Sequence, residues 1–144
     1  SDAKKDCCCE YAPTSIPAFT AKVNGTDFIC NSPLGLIIFN TDLQIKAYAS
    51  NYDMTLWLDD FSNKGVGTYI LGDGFDDGSG HIQLSLAPYT NYQTNTSPNT
   101  GTITFTKFDK TNKVVSGTFS FQALDMSTSA TISITTGVFS NISY

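Results

Sequence analysis

Residues 43–58 read LQIKAYASNYDMTLWL. Apolar and polar side chains alternate on both sides of Asn51-Tyr52, which is the period of a strand and not of a helix. A two-residue loop at Asn51-Tyr52 pairs Ala49 with Met54, Ala47 with Leu56 and Ile45 with Leu58, and turns all six to one face. The other face then carries Tyr48, Lys46 across from Trp57, and Gln44 across from Asp59.

The same period runs outward from this hairpin. AFTAKVNG (18–25) alternates and ends in Asn24-Gly25, the dipeptide that best marks a tight hairpin turn. LGLIIF (34–39) is a continuous apolar run, as expected of a strand covered on both faces. GTYIL (67–71) and HIQLSLA (81–87) add two strands around a loop rich in Gly and Asp, and Ile82, Leu84 and Leu86 are expected to face inward. TGTITFTKF (100–108) and VVSGTFSFQAL (114–124) form a hairpin through DKTNK. Its register sets Ile103 by Phe119 and Phe105 across from Gly117, and aligns Thr102, Thr104 and Thr106 with Ser120, Thr118 and Ser116. ATISITTG and VFSNISY close the chain with a turn at Gly137.

About nine or ten strands in one antiparallel meander give an all-β class, with two candidate architectures. A closed or flattened lipocalin-like barrel is favoured over a two-sheet β-sandwich, because closure removes exposed edges. Its interior, lined by Phe105, Phe119 and Phe121, would suit an apolar molecule.

Composition supports the class. The chain has no Arg and a single Glu, Glu10, so the usual material of long amphipathic helices is missing. Thirteen acidic residues stand against eight Lys, a net charge of -5, which lacks the basic footprint of nucleic-acid binding. No apolar run approaches the length of a bilayer span.

Cys7, Cys8 and Cys9 are adjacent, which makes a poor disulfide framework and a poor zinc site. Cys30 reads as a buried thiol within a strand. The opening SDAKKD is short, charged and small, like the flexible tether that follows the acylated cysteine of a bacterial lipoprotein. Residues 1–17 are therefore expected to be a tether after a removed lipid-anchor cysteine, and 18–144 a single all-β domain.

FTAKVNG, GTY, GTITFTKFDKTNKVVSGTFSF and ITTGVFSNISY together resemble a family of small, uncharacterised lipoproteins of Bacteroidetes-type bacteria. The resemblance spans Phe19 to Tyr144. It implies an all-β domain at the bacterial cell envelope, lipid-anchored and periplasmic or surface-exposed on the outer membrane, with the membrane reached through the anchor only. It implies no activity and no catalytic residues.

Several residues are candidates for chemistry. Asp73, Asp76 and Asp77, in a glycine-rich loop, offer hard oxygen ligands of the kind calcium takes, though the spacing is not that of an EF-hand; the plainer reading is a solvated turn. His81, the only histidine, follows that loop and would centre a hydrolase, but no serine stands in a nucleophile elbow and its ring is expected to face solvent. Tyr48 and Trp57, diagonal on the outward face with Lys46, Gln44 and Asp59 beside them, offer aromatic rings and hydrogen-bonding groups of the kind a sugar requires; the plainer reading is that another strand, the tail or a crossing sheet covers them, since a lone Trp in a small domain is generally core. The expected function is a non-enzymatic envelope module for ligand binding or interaction, its ligand not given by the sequence, with a glycan-binding surface as the first alternative and a hydrolase centred on the Asp-rich loop and His81 as the second, and with no cofactor unless calcium.

Overall fold

The computed structural model describes residues 16–144, which form eleven strands and one short 3-10 turn, Phe61–Asn63. The strands are β1 (Phe19–Val23), β2 (Thr26–Cys30), β3 (Leu34–Ile38), β4 (Asp42–Tyr48), β5 (Tyr52–Leu58) and β6 (Gly67–Leu71), then β7 (Gly78–Leu84), β8 (Asn91–Gln93), β9 (Gly101–Asp109), β10 (Val114–Leu124) and β11 (Thr131–Ser143). Most of the tether expected over 1–17, with Cys7, Cys8 and Cys9, lies outside the described residues.

The strands form one sheet in the order β2-β1-β11-β10-β9-β6-β7-β5-β4-β3, and β8 bridges β10 and β7. That bridge closes a ring of β6, β9, β10, β8 and β7, so the fold is an all-β barrel core with further strands on either side. The connectivity is not the simple meander expected. β6 pairs antiparallel with β9 and meets β7 in parallel at a single pair, Leu71 with Gly78. Turn chemistry reports only on neighbours in sequence, and these pairings are set by packing at long range.

Local turn chemistry was decisive where it was strong. Asn24 and Gly25 both have positive φ, 48° and 84°, as a type I′ turn requires, and Val23 pairs with Thr26. The β9–β10 register is the expected one from Thr102 to Phe105. A bulge then shifts it, so that Ser116 faces Lys107 and not Thr106.

Elsewhere the expected details change. The β4–β5 turn is Ser50-Asn51, closed by Ala49 N–H on Tyr52 O at 3.0 Å, one residue earlier than expected. Tyr52 is taken into the strand because its ring packs on the core. A one-residue shift of the turn moves the register by two, so both faces keep their composition while partners change. Ala47 now faces Met54, Ile45 faces Leu56, and Leu43 faces Leu58. Gly137 is not a turn but the middle of the 13-residue strand β11, opposite Phe119. A Cβ there would lie 2.6 Å from the Phe119 ring, so only glycine leaves room for it. LGLII is an edge strand, not a doubly covered one, with Leu34 and Ile37 partly in water.

The interior is filled. Phe105, Phe119 and Phe121 are each at most 4 % exposed. Phe105 packs on Phe139 with centroids 5.5 Å apart, and Phe119 lies 5.1 Å from Phe19 and 6.4 Å from Phe121. The space expected for an apolar ligand is occupied by these rings. Cys30 is a buried thiol in the same core, as expected.

Candidate functional site

The outward face of β4, β5, β7 and β8 is a registered polar lattice. Paired residues share a face, so three rows can be read across the strands. One row is Gln44, Trp57 and Ser79; the next is Lys46, Thr55, His81 and Gln93; the third is Tyr48, Asp53, Gln83 and Asn91. The alternating partners, among them Ile45, Leu56 and Ile82, are buried in the core and hold the lattice flat against it.

A hollow of ≈ 370 Å³ opens on this face and brings together Gln44, Lys46, Tyr48 and Trp57 with Asp53 and His81. Four of the five residues expected to contact a ligand therefore line one depression. Asp59, the fifth, lines an adjoining one of ≈ 260 Å³, which shares Trp57 and His81 with the first. The aromatic pair differs from expectation in one respect. Trp57 faces Gln44, and the Lys46–Thr55 pair stands between it and the Tyr48–Asp53 pair. The two rings sit about 14 Å apart along the strands and bracket the hollow without forming one platform.

Trp57 is half-buried, and its Nε1 donates to Asp42 Oδ2 at 3.0 Å, which fixes the ring. Tyr48 is 51 % exposed at the rim. Lys46 Nζ donates to Thr55 Oγ1 at 3.3 Å. His81 Nε2 and Ser79 Oγ are 2.9 Å apart. Burial first, and then the nearby Lys46 charge, hold the His81 imidazole below its ordinary value, so it is neutral near pH 7. Asp59 is moved the other way: burial, then the Asp42 and Asp77 carboxylates, push it up against the pull of Lys64.

The ring of His81 does not simply face solvent, because β7 begins at Gly78 and carries Ser79 and His81 into the lattice beside Thr55 and Trp57. The polar-apolar alternation of SGHIQL already extends that far, and it is the signal by which the sequence could have joined His81 to Trp57. Asp53, Thr55, Gln83 and Asn91 were also missed as site residues; β8 in particular is three residues long and leaves no period to read. Leu86, expected inward, is 72 % exposed.

The acidic loop does not converge. Asp73 Oδ1 accepts from Phe75 N–H at 2.9 Å, Asp76 Oδ2 from Asp73 N–H at 3.1 Å, and Asp77 Oδ2 from Ile70 N–H at 3.1 Å. The three carboxylates cap backbone groups in different directions, and no group of three His, Cys, Asp or Glu among the described residues is arranged to hold a metal ion.

A family model described as a domain of unknown function (DUF6252) matches residues 15–143, and the chain belongs to that family. No curated protein and no solved structure matches it.

Proposed function

We propose that this domain is a non-enzymatic binding module whose outward hollow on β4, β5 and β7 takes a glycan. One observation carries the reading: a half-buried indole, fixed by Asp42, borders a hollow lined mostly by side chains that bear hydrogen-bonding groups of both kinds. An indole face covers the C–H face of a sugar ring, while Gln44, Lys46, Asp53 and the neutral His81 meet its hydroxyls. The packed core supports a surface site over an interior one.

The test is a titration of Trp57 fluorescence with soluble oligosaccharides, since Trp57 is the sole tryptophan. Binding should shift and protect the emission, and Trp57→Ala, followed by titration calorimetry because it leaves no tryptophan, should weaken binding by about tenfold or more. An emission indifferent to every carbohydrate class would sink the reading.

A hydrolytic role has one observation in its favour, the 2.9 Å contact of Ser79 with His81. An acyl-transfer site also needs backbone donors aimed at the reacting oxygen. Here Gly80 N–H, between the two residues, is taken by Thr94 Oγ1 at 3.0 Å. The contact is therefore read as a polar pair of the binding face.

The envelope location belongs to the same proposal. Its support is the polar opening SDAKKD and the resemblance to lipid-anchored envelope proteins. Labelling of cells with a radioactive fatty acid should tag the protein as made in its own host, and an unlabelled protein would refute the anchor.

A further inference from the structure

Ile37 of β3 stands on the core face of its strand, paired with the buried Leu43, yet it is 38 % exposed. The core face therefore opens to water at this end of the sheet. Gly35 lies two residues earlier on the same face, and a Cβ there would lie 2.9 Å from Tyr144 Cβ. The bare position lets the end of β11 come against β3. Beside them opens a hollow of ≈ 320 Å³, lined by Ile37, Phe61, Ser62, Lys110, Lys113 and Tyr144. None of these residues lines the two hollows around Trp57.

The walls are mostly apolar and held from several sides. Phe61 is buried, stacks on Phe108 at 5.4 Å and meets Tyr144 edge to face at 5.1 Å. These rings run on into the core through Phe105, 4.9 Å from Phe108. Phe61 N–H donates to Thr41 O at 2.7 Å, which pins the 3-10 turn to the β3–β4 corner. Tyr144 N–H donates to Lys113 O at 3.1 Å, which ties β11 to the β9–β10 hairpin.

The charge at the rim is of one sign, because two lysines line the hollow and no acid does. Lys110 Nζ lies 5.8 Å from the Phe61 centroid and 5.3 Å from that of Phe108, and it donates to Ser62 O at 2.9 Å. The rings thus hold an ammonium at the mouth with donors to spare. Asp109, the one carboxylate of the hairpin, is taken up by its own turn. Its Oδ1 accepts from Thr111 and Asn112 N–H at 3.0 and 2.9 Å, and its Oδ2 from Asn112 Nδ2 at 2.8 Å. The only ion pair among the described residues is Lys22–Asp27, so neither lysine of the rim is neutralised.

The geometry points to a second binding site here, for a small amphipathic carboxylate whose apolar body rests on Phe61, Ile37 and Tyr144 while Lys110 and Lys113 take its head. The volume falls at the low end of the range for small-ligand pockets, about 300–1,000 Å³, and admits one fused aromatic ring or a short alkyl chain. The pocket shares no residue with the hollows around Trp57, so it stands or falls apart from the carbohydrate reading.

Amide NMR titrations of the full, isotope-labelled chain test it, with naphthoate and octanoate as probes and naphthylmethanol, octanol and acetate as matched controls. Either carboxylate should shift the amides of Ser62, Lys110, Lys113 and Tyr144 with a dissociation constant below about 1 mM. The alcohols, which lack the charge, and acetate, which lacks the body, should each bind at least about fivefold more weakly. Lys110→Gln combined with Lys113→Gln should erase the advantage of carboxylate over alcohol and leave the affinity for alcohol unchanged, which also shows that the pocket persists. Equal affinity for carboxylate and alcohol would overturn the assignment. So would shifts spread over the other lysines, or no shift at all. Shifts produced by phosphatidylglycerol vesicles and by neither carboxylate would replace it with a membrane-facing surface.

Discussion

Trp57 of β5 and Asp42 of β4 are joined by a 3.0 Å hydrogen bond from the indole to the carboxylate, and the other oxygen of Asp42 accepts the Asp60 N–H at 3.1 Å. One carboxylate thus fixes both the indole at one end of the hollow and the corner that follows β5. Burial alone would raise the Asp42 carboxyl. The bonds from Trp57, Asp60 and Thr41, with the Lys64 charge, outweigh it and hold the group below its ordinary 3.8.

The sign of the pH dependence follows. A carboxyl lowered on folding stabilises the protein fully above its ordinary value, and this is lost as pH falls through the lower folded value. Melting curves should therefore decline below about pH 4, and Asp42→Ala should decline less there. At neutral pH the substitution should cost about 1–2 kcal/mol and make Trp57 easier to quench with acrylamide.

Asp59 should behave in the opposite sense. Its carboxyl is raised by burial and by Asp42 and Asp77, so its charge opposes folding at neutral pH. Asp59→Asn should raise the melting temperature at pH 7, and the gain should shrink as pH falls through the raised value to the ordinary 3.8.

His81 offers a direct reading, since it is the only imidazole in the chain. Burial and Lys46 hold it below 6.5. Between 6.5 and the folded value the unfolded chain binds a proton that the folded chain refuses, so stability falls as pH drops through that window and then levels. His81→Gln should flatten the stability profile across it. Lys46→Gln should move the NMR titration of the His81 ring upward, and an unmoved titration would remove Lys46 as a cause.

Thr94 is buried, at 4 % exposure, where the end of β8 meets β7 and the loop after β6. Its hydroxyl accepts from Gly80 N–H at 3.0 Å and donates to Gly72 O at 2.7 Å. Thr94→Val keeps the volume and strands both partners, at a cost of about 1–3 kcal/mol in chemical denaturation, whereas Thr94→Ser should lose far less.

The face that carries the site was legible from residues 43–58, because strand alternation survives an error in the turn. Placing the turn at Asn51-Tyr52 gave wrong partners and correct faces, so Gln44, Lys46, Tyr48 and Trp57 reached one hollow all the same. What could not be read were the contributions of distant segments. His81 was separated from Trp57 by a strand start misplaced at the glycines of 72–80, and a bare glycine reads alike as a turn or as room for an aromatic ring. Gly80 shows the second case: a Cβ there would lie 2.9 Å from the Phe121 ring. Gly137 misled for the same reason. The apolar run 34–39 was read as interior because composition cannot tell an edge strand from a central one.

The strand β8 has a consequence for how the molecule breathes. It meets β10 through one residue pair, Leu124 with Gln93, and β7 through three, yet it completes the ring and supplies Asn91 and Gln93 to two walls of the hollows. A segment held so lightly opens far more often than the sheet around it. A ligand that bridges β7 and β8 binds the closed form alone and must therefore slow that opening. Hydrogen exchange at the amides of Tyr92, Gln93 and Thr94 would then count occupancy, and the clasp that closes the barrel would also report its cargo.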